Sequence, residues 1–152
     1  MATVHQISAS GGGVPKTPLD RAAIDINGVV GDDQTSKKYH GGPDRALVLY
    51  SLEIIEALQA EGHPISPGST GENLTITGLD WDDMIPGSKV RIGQTVAQIT
   101  DFASPCWKIV DSFSDKESSR INQAEHPGWS RVCAKVIIGG IVQTGDEVEL
   151  LD

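Results

Sequence analysis

The feature that most restricts this chain is how soon its apolar runs are broken. Seventeen glycines and eight prolines are spread along 152 residues, a density that demands many turns and leaves little room for long helices. Short apolar segments stand between those turns. Thr3–Ser8 (TVHQIS) alternates as a strand would, with Val4 and Gln6 on one face and His5 and Ile7 on the other. AAIDI, ending at Asn27-Gly28, is a weaker strand, and Ala46–Tyr50 (ALVLY) reads as a buried one. NLTITGL, SKVRIG, TVAQITDF, RVCAKVII and IVQTGDEVELL continue the series, with Gly139-Gly140 before the last. Gly93-Gln94 fits a two-residue hairpin turn with glycine first.

One segment is clearly helical. Leu52, Ile55 and Leu58 recur at helical spacing between Ser51, a suitable N-cap, and Gly62, a suitable stop. This predicts a helix over about 52–61. A second, shorter helix is expected to start at Pro105 and run through Trp107, Val110 and Phe113. Regularly spaced strands with two accessory helices suggest a mainly β barrel or sandwich, in one domain over 1–152.

Charge limits the partners. The formal net charge is -9, so a general nucleic-acid binder, which needs a basic face, is not expected. Neither a secretory leader nor a bilayer-length apolar run is visible, so membrane association is not expected either. With two cysteines, free thiols in a reducing compartment such as the cytoplasm are the expectation.

Four stretches are too polar and glycine-rich to read only as connectors. In HGGPDRA (His40–Ala46), Gly41 and Gly42 let backbone amides approach a ligand, Arg45 offers a planar fork for an anion, and Asp44 could hold that fork. A glycine turn with an exposed ion pair explains the same residues without a ligand. In SGGGVPK, Lys16 could meet a phosphate, although a surface lysine is the commoner outcome. In GSTGENLT, Asn73 carries donor and acceptor on one group, while Glu72 has no obvious partner and reads as solvated.

The fourth stretch is SPCWK, Ser104–Lys108, with HPGWSR (His126–Arg131) as a possible companion. A helix starting at Pro105 would put Cys106 in its first turn, where the helix field and Lys108 favour a thiolate. Thiolate is the form that ligates soft metals or accepts sulfur. A buried, inert cysteine is the plain alternative. Cys133 reads as a strand filler. The sequence leaves a Cys106–Cys133 disulfide open, and a reducing compartment disfavours it. His40, His63, His126 and Cys106 fit no common zinc spacing, and no nucleophile elbow is present.

Taken in order, SGGGVPK, GVVGDDQTSKKYHGGPDRALVLYS, GSTGENLTITGL, VRIGQTVAQITDFASPCWKI and HPGWSRVCAKVIIGGIVQTGD resemble the MOSC domain, the C-terminal region of molybdenum cofactor sulfurases, and most of all its small stand-alone bacterial members. The resemblance implies a MOSC-type β-barrel that binds the molybdenum cofactor, a pyranopterin dithiolene with a phosphate. It makes Cys106 the motif cysteine, a molybdenum ligand in reductase members and a sulfur handler in the sulfurase setting. It assigns Lys16, His40, Gly41, Gly42, Asp44, Arg45, Asn73, Ser104 and Arg131 to cofactor binding, around one cleft. It also implies reduction of N-hydroxylated small molecules with a separate electron-donor protein. A persulfide carrier fed by a sulfur donor, and a non-catalytic cofactor-binding module, are the alternatives. The sulfurases' pyridoxal-phosphate domain has no counterpart in this chain.

Overall fold

The computed structural model describes residues 1–9, 16–30 and 43–151. The expected position of His40, Gly41 and Gly42 lies outside these residues.

Seven strands form a closed ring. In ring order they are β11 (Glu147–Leu151), β7 (Lys89–Ile92), β8 (Thr95–Phe102), β9 (Val132–Ile138), β5 (Leu47–Ser51), β6 (Leu74–Thr77) and β1 (Ala2–Ala9). The ring closes where Ala2 pairs with Val148 and Thr3 with Glu147. β5 and β6 run parallel, with helix α1 (Leu52–Ala60) in the connection, so the barrel is mixed. β2 (Thr17–Leu19) extends the edge of β1 beyond the seam. A small second sheet holds β10 (Gly140–Gln143), β3 (Arg21–Asp25) and β4 (Gly28–Val29).

The local grammar of the sequence explains most of these elements. Ser51 Oγ accepts the Ile54 amide at 3.3 Å, as an N-cap should, and Gly62 ends α1 with φ +98°. Ile55 and Leu58 are fully buried on its inner face. Gly93 takes φ +56° in the two-residue turn that pairs Ile92 with Thr95. β2 and β4 have only three and two residues, too few to show a periodicity.

Three strands, β1, β8 and β9, depart from simple alternation: in β9 an extra residue, Ile137, falls between the partners of Val96 and Ala97. A register shift between Val4 and Gln6 brings both Val4 and Ile7 into the core. The expected opposition of those two residues therefore fails: a bulge adds one residue and restores the apolar face. A further shift, between Ile99 and Asp101, changes the phase of β8. Before it, Ala97 and Ile99 point into the barrel. After it, Asp101 lies opposite Cys133 and Phe102 opposite Val132, so Phe102 packs on the core and Asp101 faces out.

The end of β8 leads into a long connection of single 3-10 turns, Trp107–Ser112 and Ser118–Ile121. Several polar contacts tie it down. Arg120 donates to both carboxylate oxygens of Glu61 at 3.0 and 2.7 Å and lies 4.0 Å over the Trp129 ring. Ser112 bonds to Ser69 Oγ at 2.8 Å, and the Ser114 amide donates to His63 Nδ1 at 3.2 Å. The barrel thus holds the segment that carries Cys106.

Candidate functional site

β5, β9 and the bulged end of β8 share one outward face. Strand pairing puts Val48 of β5 and Asp101 of β8 on either side of Cys133. Arg131 lies two residues before Cys133 and Ala103 two after Asp101, on the same face by alternation. The opposite face carries Leu47, Leu49, Val132 and Ala134, all in the barrel core. The outward face forms the floor of a cavity of about 540 Å³, whose walls include Arg45, the loop of Ser104, Pro105 and Cys106, and Trp107 and Lys108. That volume suits a drug-sized or cofactor-sized ligand.

Arg131 is the anchor of the floor. It is 7% exposed. Its guanidinium donates to three backbone carbonyls, those of Thr70 at 2.6 Å, Ser104 at 3.1 Å and Ala103 at 3.4 Å. These bonds fasten the 68–73 loop and the Cys106 loop to one cation. Arg131 Nε is buried with no hydrogen-bond partner, a cost that the bonds of the other guanidinium nitrogens offset in part.

The structure brings Arg45, Ser104, Cys106 and Arg131 together around this cavity, as the expected single cleft requires. Asp44 is exposed next to Arg45 and gives its backbone carbonyl to the Thr100 hydroxyl. The carboxylate near the Arg45 fork comes from Asp101, 3.7 Å away, on the far side of the bulge. Sequence reading had no signal for that pair, which depends on strand register.

Two expected members stand elsewhere. Asn73 is fully buried: its Oδ1 accepts the Val48 amide at 2.9 Å and its Nδ2 donates to the Ser8 carbonyl at 3.5 Å. It fastens β5 to β1 and does not line the cavity. Lys16 is buried rather than on the surface, its amide bonded to the Gly68 carbonyl at 3.1 Å, and it too is absent from the lining.

Glu72 corrects another expectation. Far from solvated, it is fully buried, and Thr70 Oγ1 donates to its Oε1 at 2.9 Å. Burial raises its pKa, against hydrogen bonds from its own amide, Thr70 and Gly68 and the nearby charge of Arg131. One residue, Gly71, separates it from Thr70, whose carbonyl Arg131 holds, and it is absent from the cavity lining.

Cys106 differs from its expected setting, while Cys133 is the buried strand residue that was expected. Pro105 does not start a helix; the 3-10 turn begins at Trp107, and Cys106 precedes it as an extended cap with φ -133°. Cys106 is half-buried in the cavity wall. Its carbonyl accepts the Ile109 amide at 3.2 Å and the Ser118 hydroxyl at 3.5 Å. Cys133 is buried, yet it belongs to the cavity floor and not to the barrel core. Burial raises its pKa, and Arg45 and Arg131 act in the other direction. Trp107, 77% exposed, stands at the mouth beside Lys108.

The family model described as "MOSC domain" matches residues 36–149, a span that holds the whole cavity floor and the Cys106 loop. The chain belongs to the MOSC domain family. Among curated relatives, the uncharacterized protein YflK of Bacillus subtilis is 31% identical over 122 residues, covering 80% of this chain and 54% of YflK. YiiM of Escherichia coli is 31% identical over 129 residues, covering 82% of this chain and 56% of YiiM. This MOSC chain thus spans little more than half the length of those relatives. Among solved structures, a hypothetical protein superposes with a TM-score of 0.79 at 27% identity, over 99% of this chain and 68% of its own. The crystal structure of Escherichia coli YiiM gives 0.72 at 25% identity, over 100% and 70%. The likeness covers the mixed barrel and its short helices together.

Proposed function

We propose that the cavity holds a molybdenum cofactor and that the protein reduces N-hydroxylated compounds with electrons from a separate donor protein. The observation that carries this reading is one cavity shared by a half-buried thiol, Cys106, and a buried guanidinium, Arg131.

The donor set fits such a group. Among the described residues, no three or more His, Cys, Asp or Glu side chains are gathered to hold a metal. Of the two cavity thiols, Cys106 is the less buried and would be the soft ligand, which suits a metal that arrives with its own dithiolene sulfurs. Cys106 would hold the metal as thiolate. The Arg131 charge would favour an anionic part of the cofactor, while its terminal nitrogens keep the Ser104 carbonyl and the Thr70 loop in place. Arg45 and Lys108 add positive charge to walls of an otherwise acidic protein, where a phosphate would sit. When bound, the cofactor supplies a two-electron centre that can take an oxygen atom from an N–OH group. The overall change adds two electrons and two protons and releases the amine or amidine and water.

Purified protein from a molybdate-supplied host should contain molybdenum and release a pterin that fluoresces after oxidation. It should turn over an N-hydroxylated substrate when a reductase is added, and Cys106→Ser should abolish that turnover. Metal-free, pterin-free protein, or full activity in Cys106→Ser, would sink this reading. The persulfide-carrier alternative uses the same accessible thiol. It predicts a single added sulfur on Cys106 by mass spectrometry after exposure to a sulfur donor.

A further inference from the structure

Cys133 plays no part in the reading above, and its position asks for one. A strand cysteine that fills a core should sit with the core residues. Here its strand neighbours Val132 and Ala134 occupy the core, while Cys133 faces the other way, between Val48 and Asp101. The charges that act on it are Arg45 and Arg131, which line the cavity, and Asp101, its partner on β8. It lines the same 540 Å³ space as Cys106, and both thiols are free. Cys106 is half-buried in the wall and Cys133 is buried in the floor.

We propose that Cys133 is the resolving thiol of this cavity, closing an intramolecular disulfide with Cys106 when the cofactor-free protein meets hydrogen peroxide. The chemistry balances in two steps. The Cys106 sulfur attacks one peroxide oxygen; an S–O bond forms, the O–O bond breaks, and the second oxygen leaves as water once protonated. Sulfur is oxidised by two electrons and peroxide is reduced by two. The Cys133 sulfur then attacks the Cys106 sulfur; an S–S bond forms, the S–O bond breaks, and the hydroxyl leaves as water with the proton of the Cys133 thiol.

The order of the steps follows from placement. Cys106 is the thiol that solvent reaches. Cys133 is held back by burial, which keeps its proton until a partner sulfur is close. A disulfide needs Cα atoms within about 7 Å of each other, so bond formation requires the 104–106 loop to lie against the floor. The closed form spares Cys106 from irreversible oxidation and bars the cavity to a metal until a dithiol reduces it. This inference rests on the two thiols alone and stands or falls apart from the molybdenum reading.

The test uses the purified, cofactor-free full chain. It is treated with hydrogen peroxide, unfolded in N-ethylmaleimide, and measured by intact mass and peptide mapping with and without dithiothreitol. The expected wild-type product is a monomer lighter by two hydrogen atoms, without maleimide adducts, containing a linked Cys106–Cys133 peptide that dithiothreitol releases. In Cys133→Ala, Cys106 should instead reach the sulfinate or an interchain disulfide. In Cys106→Ser, peroxide should leave Cys133 fully alkylated. The proposal is overturned if wild-type Cys133 stays fully alkylated while Cys106 is oxidised. Failure of the Cys133→Ala protein to fold would leave that wild-type measurement decisive.

Discussion

The two faces of the β8–β9 pair are built from adjacent residues and serve opposite ends. The inward face, with Ile99, Val132 and Ala134, is apolar and sealed in the barrel. The outward face is polar or ionisable: Arg131 and Cys133 line the cavity, and Asp101 lies opposite Cys133 and pairs with Arg45 at its wall. What separates them is a single extra residue: the bulge around Thr100 turns Asp101 outward, and the Thr100 hydroxyl bonds to the Asp44 carbonyl beside Arg45. Stability and chemistry therefore alternate along one strand, so substitutions one position apart should act on different properties.

The sharpest way to break this contrast is on the inward face. Ile99→Ala should cost about 2–5 kcal/mol, because a sealed barrel cannot collapse to fill the void. Urea unfolding should show the midpoint fall with little change in slope. Arg131→Ala should come next, at about 2 kcal/mol, since three backbone carbonyls lose a charged donor next to a cavity that water can enter. Its effect on cofactor retention should be far larger than its effect on the midpoint. Arg131→Lys should restore neither, because one ammonium cannot replace a planar fork that reaches Thr70, Ala103 and Ser104 at once. An Arg131→Ala protein that keeps both stability and ligand would remove the distinction between floor and core.

Glu72 sharpens the comparison through pH. Its folded pKa is raised by burial. Below the ordinary carboxylate range the group is neutral in both states, and its full contribution to stability is present. As pH rises through that range the unfolded chain gives up the proton first, so stability is lost until the folded group also ionises. Glu72→Gln should therefore gain on the wild type as pH increases, seen in urea midpoints across a pH series. Parallel profiles for the two proteins would mean that Arg131 fully offsets the burial. The smallest change in stability belongs to Cys106→Ser, under about 0.5 kcal/mol at a half-open wall, although that substitution should remove function.

Much of the barrel was legible because apolar runs, capping residues and a glycine-first turn each carry a local physical meaning. Ser51, Gly62 and Gly93 do in the structure what their chemistry requires. The bulges were not legible, since a strand's alternation shows nothing of an inserted residue until its partner is known. That gap hid the Arg45–Asp101 pair. Asn73 and Glu72 were misread for a related reason: their surroundings are supplied by Val48, Ser8 and Arg131, far away in the chain. The SPCWK and HGGPDRA stretches pointed to the cavity because polar residues at glycine and proline breaks have no packing role there. The second of them lies only in part among the described residues.

The seam between β1 and β11 has a kinetic consequence. It joins Ala2 to Val148, a contact between residues almost as far apart in sequence as this chain allows. Loop-closure entropy must be overcome before such a pairing gives any return, so the ring is expected to fold on the slow side for its size. Until the seam forms, β1 and β11 each present an unpaired edge, and those edges are the places where two incomplete copies would join each other. Refolding yield should accordingly fall as protein concentration rises, with the loss confined to the interval before the ring is shut.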